Sequence, residues 1–87
     1  KKKMTREEIF ASVTELNVET KVRAWKMKVD DQWYHICSYG GVYGINIQCS
    51  IWASNSSGKR NTEEPIWSLP GRDHIASISG FLDHLDY

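Results

Sequence analysis

The chain lacks most of the marks by which function classes are read from sequence. It has no net charge, with eleven Lys and Arg against eleven Asp and Glu. It therefore carries no overall signature of a nucleic-acid binder. No apolar run approaches the roughly 18 residues needed to cross a bilayer, and there is neither an apolar leader nor a lipidation motif. A soluble cytoplasmic protein without membrane association is the expectation. Cysteine occurs twice, at Cys37 and Cys49, and both thiols are expected to be reduced and packed as small hydrophobes. No Cys-x-x-Cys or His-x-x-x-His pair accompanies them, so no metal site is expected from His35, Cys37, Cys49, His74 and His84. No cofactor is implied.

Catalytic signatures are missing too. There is no Gly-x-Ser-x-Gly elbow, and no feature marks one Ser or Cys as activated. Ser57-Gly58-Lys59-Arg60 is similar to the end of a phosphate-binding loop, but Ala53 stands where its first glycine belongs. Arg60 stands where Ser or Thr should hold magnesium, and no helix follows. Glu7-Glu8 suits a helix N-terminus through the helix dipole, and Glu63-Glu64 suits solvent. The expectation is that the chain is not an enzyme. Asn55-Ser56-Ser57 is a formal glycosylation sequon that matters only in a secreted chain.

What the chain does have is tryptophan, four in 87 residues. Aromatics let a small core bury much area, and they also anchor interfaces. Charge is unevenly placed. Residues 1–28 hold eight cations against four anions, and residues 29–87 hold three against seven. A basic docking region on a neutral body fits that split.

Residues 1–87 read as one small domain, with 1–4 frayed and no internal repeat. Thr5 and Glu8 form a capping box, with Met4 and Ile9 placed as a hydrophobic staple. Ile9, Phe10, Val13 and Leu16 make one apolar stripe, so a helix is expected over about Arg6–Leu16, with Asn17 as its stop. A first strand runs over 21–29. Asp30-Asp31 turns the chain into a second strand, Gln32–Tyr39. Gly40-Gly41 is expected as a two-residue turn into a long third strand, Val42–Ala53, pairing Ile36 with Ile45 and His35 with Asn46. A mobile polar loop is expected over 54–64. Pro65–Leu69 then makes a fourth, edge strand, and Asp73 caps a helix in which Ile75, Ile78, Leu82 and Leu85 share a face.

The fold class is α+β: an antiparallel sheet of three to four strands with two helices packed on one face, in the order α-β-β-β-(β)-α. Double-stranded-RNA-binding domains share that order. Their second helix begins with a lysine cluster, whereas this one begins Arg72-Asp73-His74, and neither an RNP-type motif nor a GXXG loop is present.

Trp25, Met27, Tyr34, Ile36, Ile45, Ile47, Cys49 and Ile51 fall on the core face in this register. Cys37 falls on the opposite face from Cys49, so the two share neither a metal nor a disulfide. The second face carries Lys26, Lys28, Trp33, His35, Tyr39, Asn46, Gln48 and Trp52. A β-bulge near Ala24–Trp25 brings Lys21 and Arg23 onto it. These ten residues, with Lys59 and Arg60 from the loop, form the candidate binding surface. The function expected from it is non-catalytic: an inhibitor or adaptor, of the size common among phage and mobile-element accessory proteins, docking on a larger protein or nucleoprotein. Direct nucleic-acid binding through the same face, a pocket for a nucleotide-like ligand beside Trp33 and His35, and homodimerisation rather than a monomer are the alternatives.

Overall fold

The computed structural model describes residues 4–16, 22–39, 48–70 and 73–87. Their element order is α1 (Arg6–Ser12), β1 (Thr14–Leu16), β2 (Arg23–Val29), β3 (Gln32–Tyr39), β4 (Gln48–Ser54), β5 (Trp67–Pro70) and α2 (His74–His84). The strands form one antiparallel sheet in sequence order, β1 to β5. Both edges are very short strands, which leaves little unpaired backbone for another chain.

Local signals set the ends of several elements. The Thr5 hydroxyl accepts from Glu8 N, and the Glu8 carboxylate accepts from Thr5 N, which completes the capping box. Asp73 caps α2 by accepting from Ala76 N at 2.8 Å. Val29 pairs with Gln32 across Asp30-Asp31, and Asp30 has φ +54°, a left-handed value that an aspartate tolerates in a tight turn.

The first helix is shorter than its apolar stripe implies. It stops at Ser12, and Thr14–Leu16 extends as β1 beside β2. The Ser12 hydroxyl donates to Ile9 O and accepts from Lys28 N, so it ties the helix end to β2. Side-chain bonding of this kind competes with further helix. Leu16 consequently leaves the helix stripe for the sheet.

The β2–β3 ladder is unbroken from Arg23↔Ser38 to Val29↔Gln32. No bulge interrupts it at Ala24–Trp25. Ala24 pairs with Cys37 and Trp25 with Ile36, and Ala24 and Trp25 are both buried, one on each face. An extra residue would expel one of them.

The β3–β4 register also departs from the sequence expectation. Ile36 faces Ile51, His35 faces Trp52 and Tyr39 faces Gln48. The expected two-residue turn would pair Tyr39 with Val42; Tyr39 instead pairs with Gln48. Gly40, Gly41 and the Val42–Ile47 part of the expected third strand lie outside the described residues. The displacement is an even number of residues, so every paired side chain keeps its expected face.

Both helices contribute to one core. Ile9 of α1 and Ile78, Phe81 and Leu82 of α2 cluster with Trp25, Met27, Val29, Ile36, Cys49 and Ile51. Phe81 takes the place expected for Ile75, which is 48% exposed on the first turn of α2. The buried stripe of the helix therefore runs through Ile78, Phe81 and Leu82, with Leu85 at its margin. Arg6 closes the two helices together. Its guanidinium donates to Ser79 Oγ, Asp83 Oδ1 and the backbone oxygen of Tyr87.

Candidate functional site

The second face of the sheet is built from cross-strand rows. One row runs Thr14, Lys26, His35, Trp52 across β1 to β4. A second runs Leu16, Ala24, Cys37, Ser50, Ser68, and a third runs Lys28, Trp33, Ser54. This face is not bare. The segment after β4 folds back across it as a strap.

The strap holds itself in shape through Asn55. The Asn55 side-chain oxygen accepts from Ser57 N, Ser57 Oγ and Lys59 N, and Gly58 N donates to Asn55 O. Asx turns of this kind are a local property of Asn followed by Ser and Gly. Gly58 has φ +91°, a backbone conformation open to glycine. It is buried, and a Cβ there would lie 3.0 Å from both methyl carbons of Leu16. The strap thus presses its tightest point onto β1.

Three donors from a single row then fasten it. Lys26 Nζ donates to Ser56 O at 3.1 Å. His35 Nδ1 lies 2.8 Å from Gly58 O and, facing an acceptor, carries the proton. Trp52 Nε1 donates to Glu63 O at 3.2 Å. Backbone bonds from Asn61 N to Ala53 O and from Ile66 N to Ile51 O hold the return of the strap against β4. All three side-chain bonds end on carbonyls of the strap, none on its side chains.

The strap changes what the face presents. Trp52 is 3% exposed, so it is not a surface ring. Arg60 covers it, with the guanidinium carbon 4.6 Å from the ring centroid. His35 packs edge-on against Trp52 and is half-buried; burial pushes its pKa below the ordinary histidine value, and Arg60 adds to that, against the raising effect of the Gly58 bond. Burial raises the Cys37 thiol and, with Cys37 beside it, the Tyr39 phenol. Tyr39 stays 38% exposed at the end of β3, opposite the exposed Gln48.

At the other end of the face, Trp33 lies under two ammonium groups, Lys26 Nζ at 5.1 Å and Lys28 Nζ at 6.0 Å from its ring centroid. Lys59 and Arg60 are exposed on the strap, beside a shallow open depression of about 450 Å³ lined by Lys59, Arg60, Asn61, Thr62 and Glu63.

The structure brings together Lys26, Lys28, Trp33, His35, Tyr39, Gln48, Trp52, Lys59 and Arg60 on this side. Arg23 is elsewhere. Without a bulge it shares the phase of Trp25, rests 5.0 Å from that ring and forms a bidentate pair with Glu15. Lys21 and Asn46 lie outside the described residues. Sequence reasoning missed Leu16, which meets the strap from β1, and the carbonyls of Ser56, Gly58 and Glu63. Asn55-Ser56-Ser57-Gly58 was the available signal for the turn; nothing in a sequence marks a carbonyl as an acceptor.

Cys37 and Cys49 are free and occupy opposite phases of the sheet. Among the described residues no three His, Cys, Asp or Glu converge on a metal-sized site, and no helix is long and apolar enough to cross a membrane. Comparison with known proteins yields no match: no family model, no curated protein and no solved structure is similar to this chain.

Proposed function

We propose that the chain is a non-catalytic binding module, of the inhibitor or adaptor kind, that docks on a larger protein or nucleoprotein through the strapped face. One observation supports this above the others. Lys26, Lys28, Lys59 and Arg60 all lie on that side, and among the described residues none is ion-paired with a carboxylate. The ion pairs Arg6–Asp83 and Arg23–Glu15 lie elsewhere. Clustered cations repel one another, and an oppositely charged partner surface relieves that repulsion. A strap on a rigid sheet is also a common way to display contact residues.

Among the described residues Lys28 and Lys59 make no hydrogen bond through their side chains, so their charges can be reversed with the least disturbance to the strap. The test is photo-crosslinking in cells, with a crosslinking residue at Trp33 or, as a control on the opposite side, at Glu7. Adducts at position 33 that are absent at position 7, and that disappear with Lys28→Glu and Lys59→Glu, are expected. Equal labelling at both positions, or none at 33, overturns the reading. Nuclease treatment of the adducts separates a protein partner from a nucleic acid.

A further inference from the structure

The state of the aromatic rings narrows the chemistry of the partner. This step rests on the binding-module reading above. Proteins that bind single-stranded nucleic acid by stacking need open ring faces, one for each base held. Here the rings on the strapped side are already engaged. Trp33 has Lys26 and Lys28 over its ring. Trp52 is buried, with Arg60 upon it and its indole N–H bonded to Glu63 O. A base could stack on either only by displacing the chain's own cations. Among the described residues Tyr39 is the exposed large aromatic of this face, and a lone ring is not a platform for successive bases.

Charge placement points the same way. A nucleic-acid backbone presents a charge at every phosphate and needs a continuous basic track. Glu63 lines the same depression as Lys59 and Arg60, and it interrupts such a track. Discrete carboxylates meet neither obstacle. They can be spaced to reach Lys28 and Lys59 while avoiding Glu63. The Arg60 guanidinium is suited to bidentate carboxylate recognition, and the exposed Asn61 and Thr62 stand next to it in the depression.

We infer that the partner presented to the strapped face is an acidic stretch of polypeptide, whose carboxylates engage Lys28, Lys59 and Arg60 while Trp33 holds Lys28 and Trp52 holds Arg60 in place.

Fluorescence anisotropy tests this with two labelled probes of equal net charge, a Glu/Asp-rich peptide and an oligothymidylate, at low and moderate salt. The peptide is expected to bind on the order of tenfold more tightly than the oligonucleotide. Combined Lys28→Glu and Lys59→Glu should abolish the difference, Lys28→Gln and Lys59→Gln should reduce it, and Glu7→Lys should leave it unchanged. Circular dichroism checks that each variant is folded. Equal or tighter binding of the oligonucleotide overturns the inference, as does failure of both probes. Adducts at position 33 with failure of the peptide overturn this inference alone. Absence of those adducts overturns the binding-module reading itself.

Discussion

The two faces of the sheet are closed by different physics. On the helix side, Ile9, Met27, Ile36, Ile51, Ile78 and Leu82 are completely buried and Phe81 nearly so. Each such side chain contributes about 1.5–3 kcal/mol through area removed from water. On the strap side, the cover is a polar segment held by three side-chain donors and by backbone bonds to β4. A hydrogen bond that replaces one to water contributes about 0.5–1.5 kcal/mol net. One cover is part of the global fold; the other is expected to open locally, at a lower free energy. A small domain thus keeps a stable core and a separately adjustable surface on the same five strands.

The largest expected effect breaks the helix side. Phe81→Ala removes the biggest fully buried side chain, and its cost is about 3–5 kcal/mol. In a domain of this size that is a large share of the stability. Denaturant unfolding should show global loss, with the strap and the core melting together.

Gly58→Ala acts on the other face. It forces an L-residue to φ +91° and pushes a methyl against Leu16, at a cost of about 1–3 kcal/mol. Hydrogen exchange should show faster exchange at Gly58, Lys59 and Asn61, whose amides bond within the strap or to β4, while the β2–β3 ladder stays protected. Uniform acceleration across the sheet would mean that the two faces are not separable.

A smaller effect comes from pH. Burial of His35 lowers its folded pKa below the ordinary value of 6.5, and its bond to Gly58 O only partly offsets this. The unfolded or strap-open chain therefore takes up the proton first. The contribution of His35 is fully present above about pH 6.5, is lost as pH falls through that value, and the loss is complete below the folded pKa. Arg60 opposes a further positive charge on the ring, and Lys26 is its cross-strand neighbour; Cys37, Tyr39 and Trp52 complete the surroundings on its own and neighbouring strands. His74, stacked on Trp25 at 3.9 Å, is shifted in the same direction by burial. Melting temperature should thus fall from pH 7 to pH 5. His35→Gln should shrink the fall, and the remainder reports His74.

The smallest change is a gain. A methyl group at Gly80 would meet Trp67 at 3.6 Å and Leu69 at 3.9 Å, ordinary contact distances. Gly80→Ala should stabilise the chain by about 0.5–1 kcal/mol by favouring helix in α2. The rise should appear in the global melting transition, with strap exchange unchanged.

Where sequence and structure agree, the signal is local. The Thr5–Glu8 box, the Asp30-Asp31 turn, the bounds of Gln32–Tyr39 and the Asp73 cap each depend on residues within a few positions of one another. Strand alternation fixed which side chains share a face, because Ile45, Ile47, Cys49 and Ile51 repeat the same parity. That repetition is also why the offset was illegible: any even displacement satisfies it equally. The Gly40-Gly41 pair offered a strong local turn signal, whereas the register is set by pairs distant in sequence, Ile36 with Ile51 and Tyr39 with Gln48. Thr14–Leu16 is too short to show a period, and the apolar Leu16 suited a helix stripe as well as a strand. The composition of the strap announced a loop. Its placement over the row of Lys26, His35 and Trp52 was hidden because the bonds that place it end on backbone oxygen.

That last detail bears on how such a surface changes over evolutionary time. A carbonyl belongs to every amino acid, so substitutions at Lys59, Arg60, Asn61 and Thr62 leave the three anchoring bonds intact. The fixed requirements are the three donors on the sheet, the glycine at 58 and the Asn55 turn. Descendants of this chain, or a designed library built on it, can rewrite four neighbouring positions without renegotiating the fold.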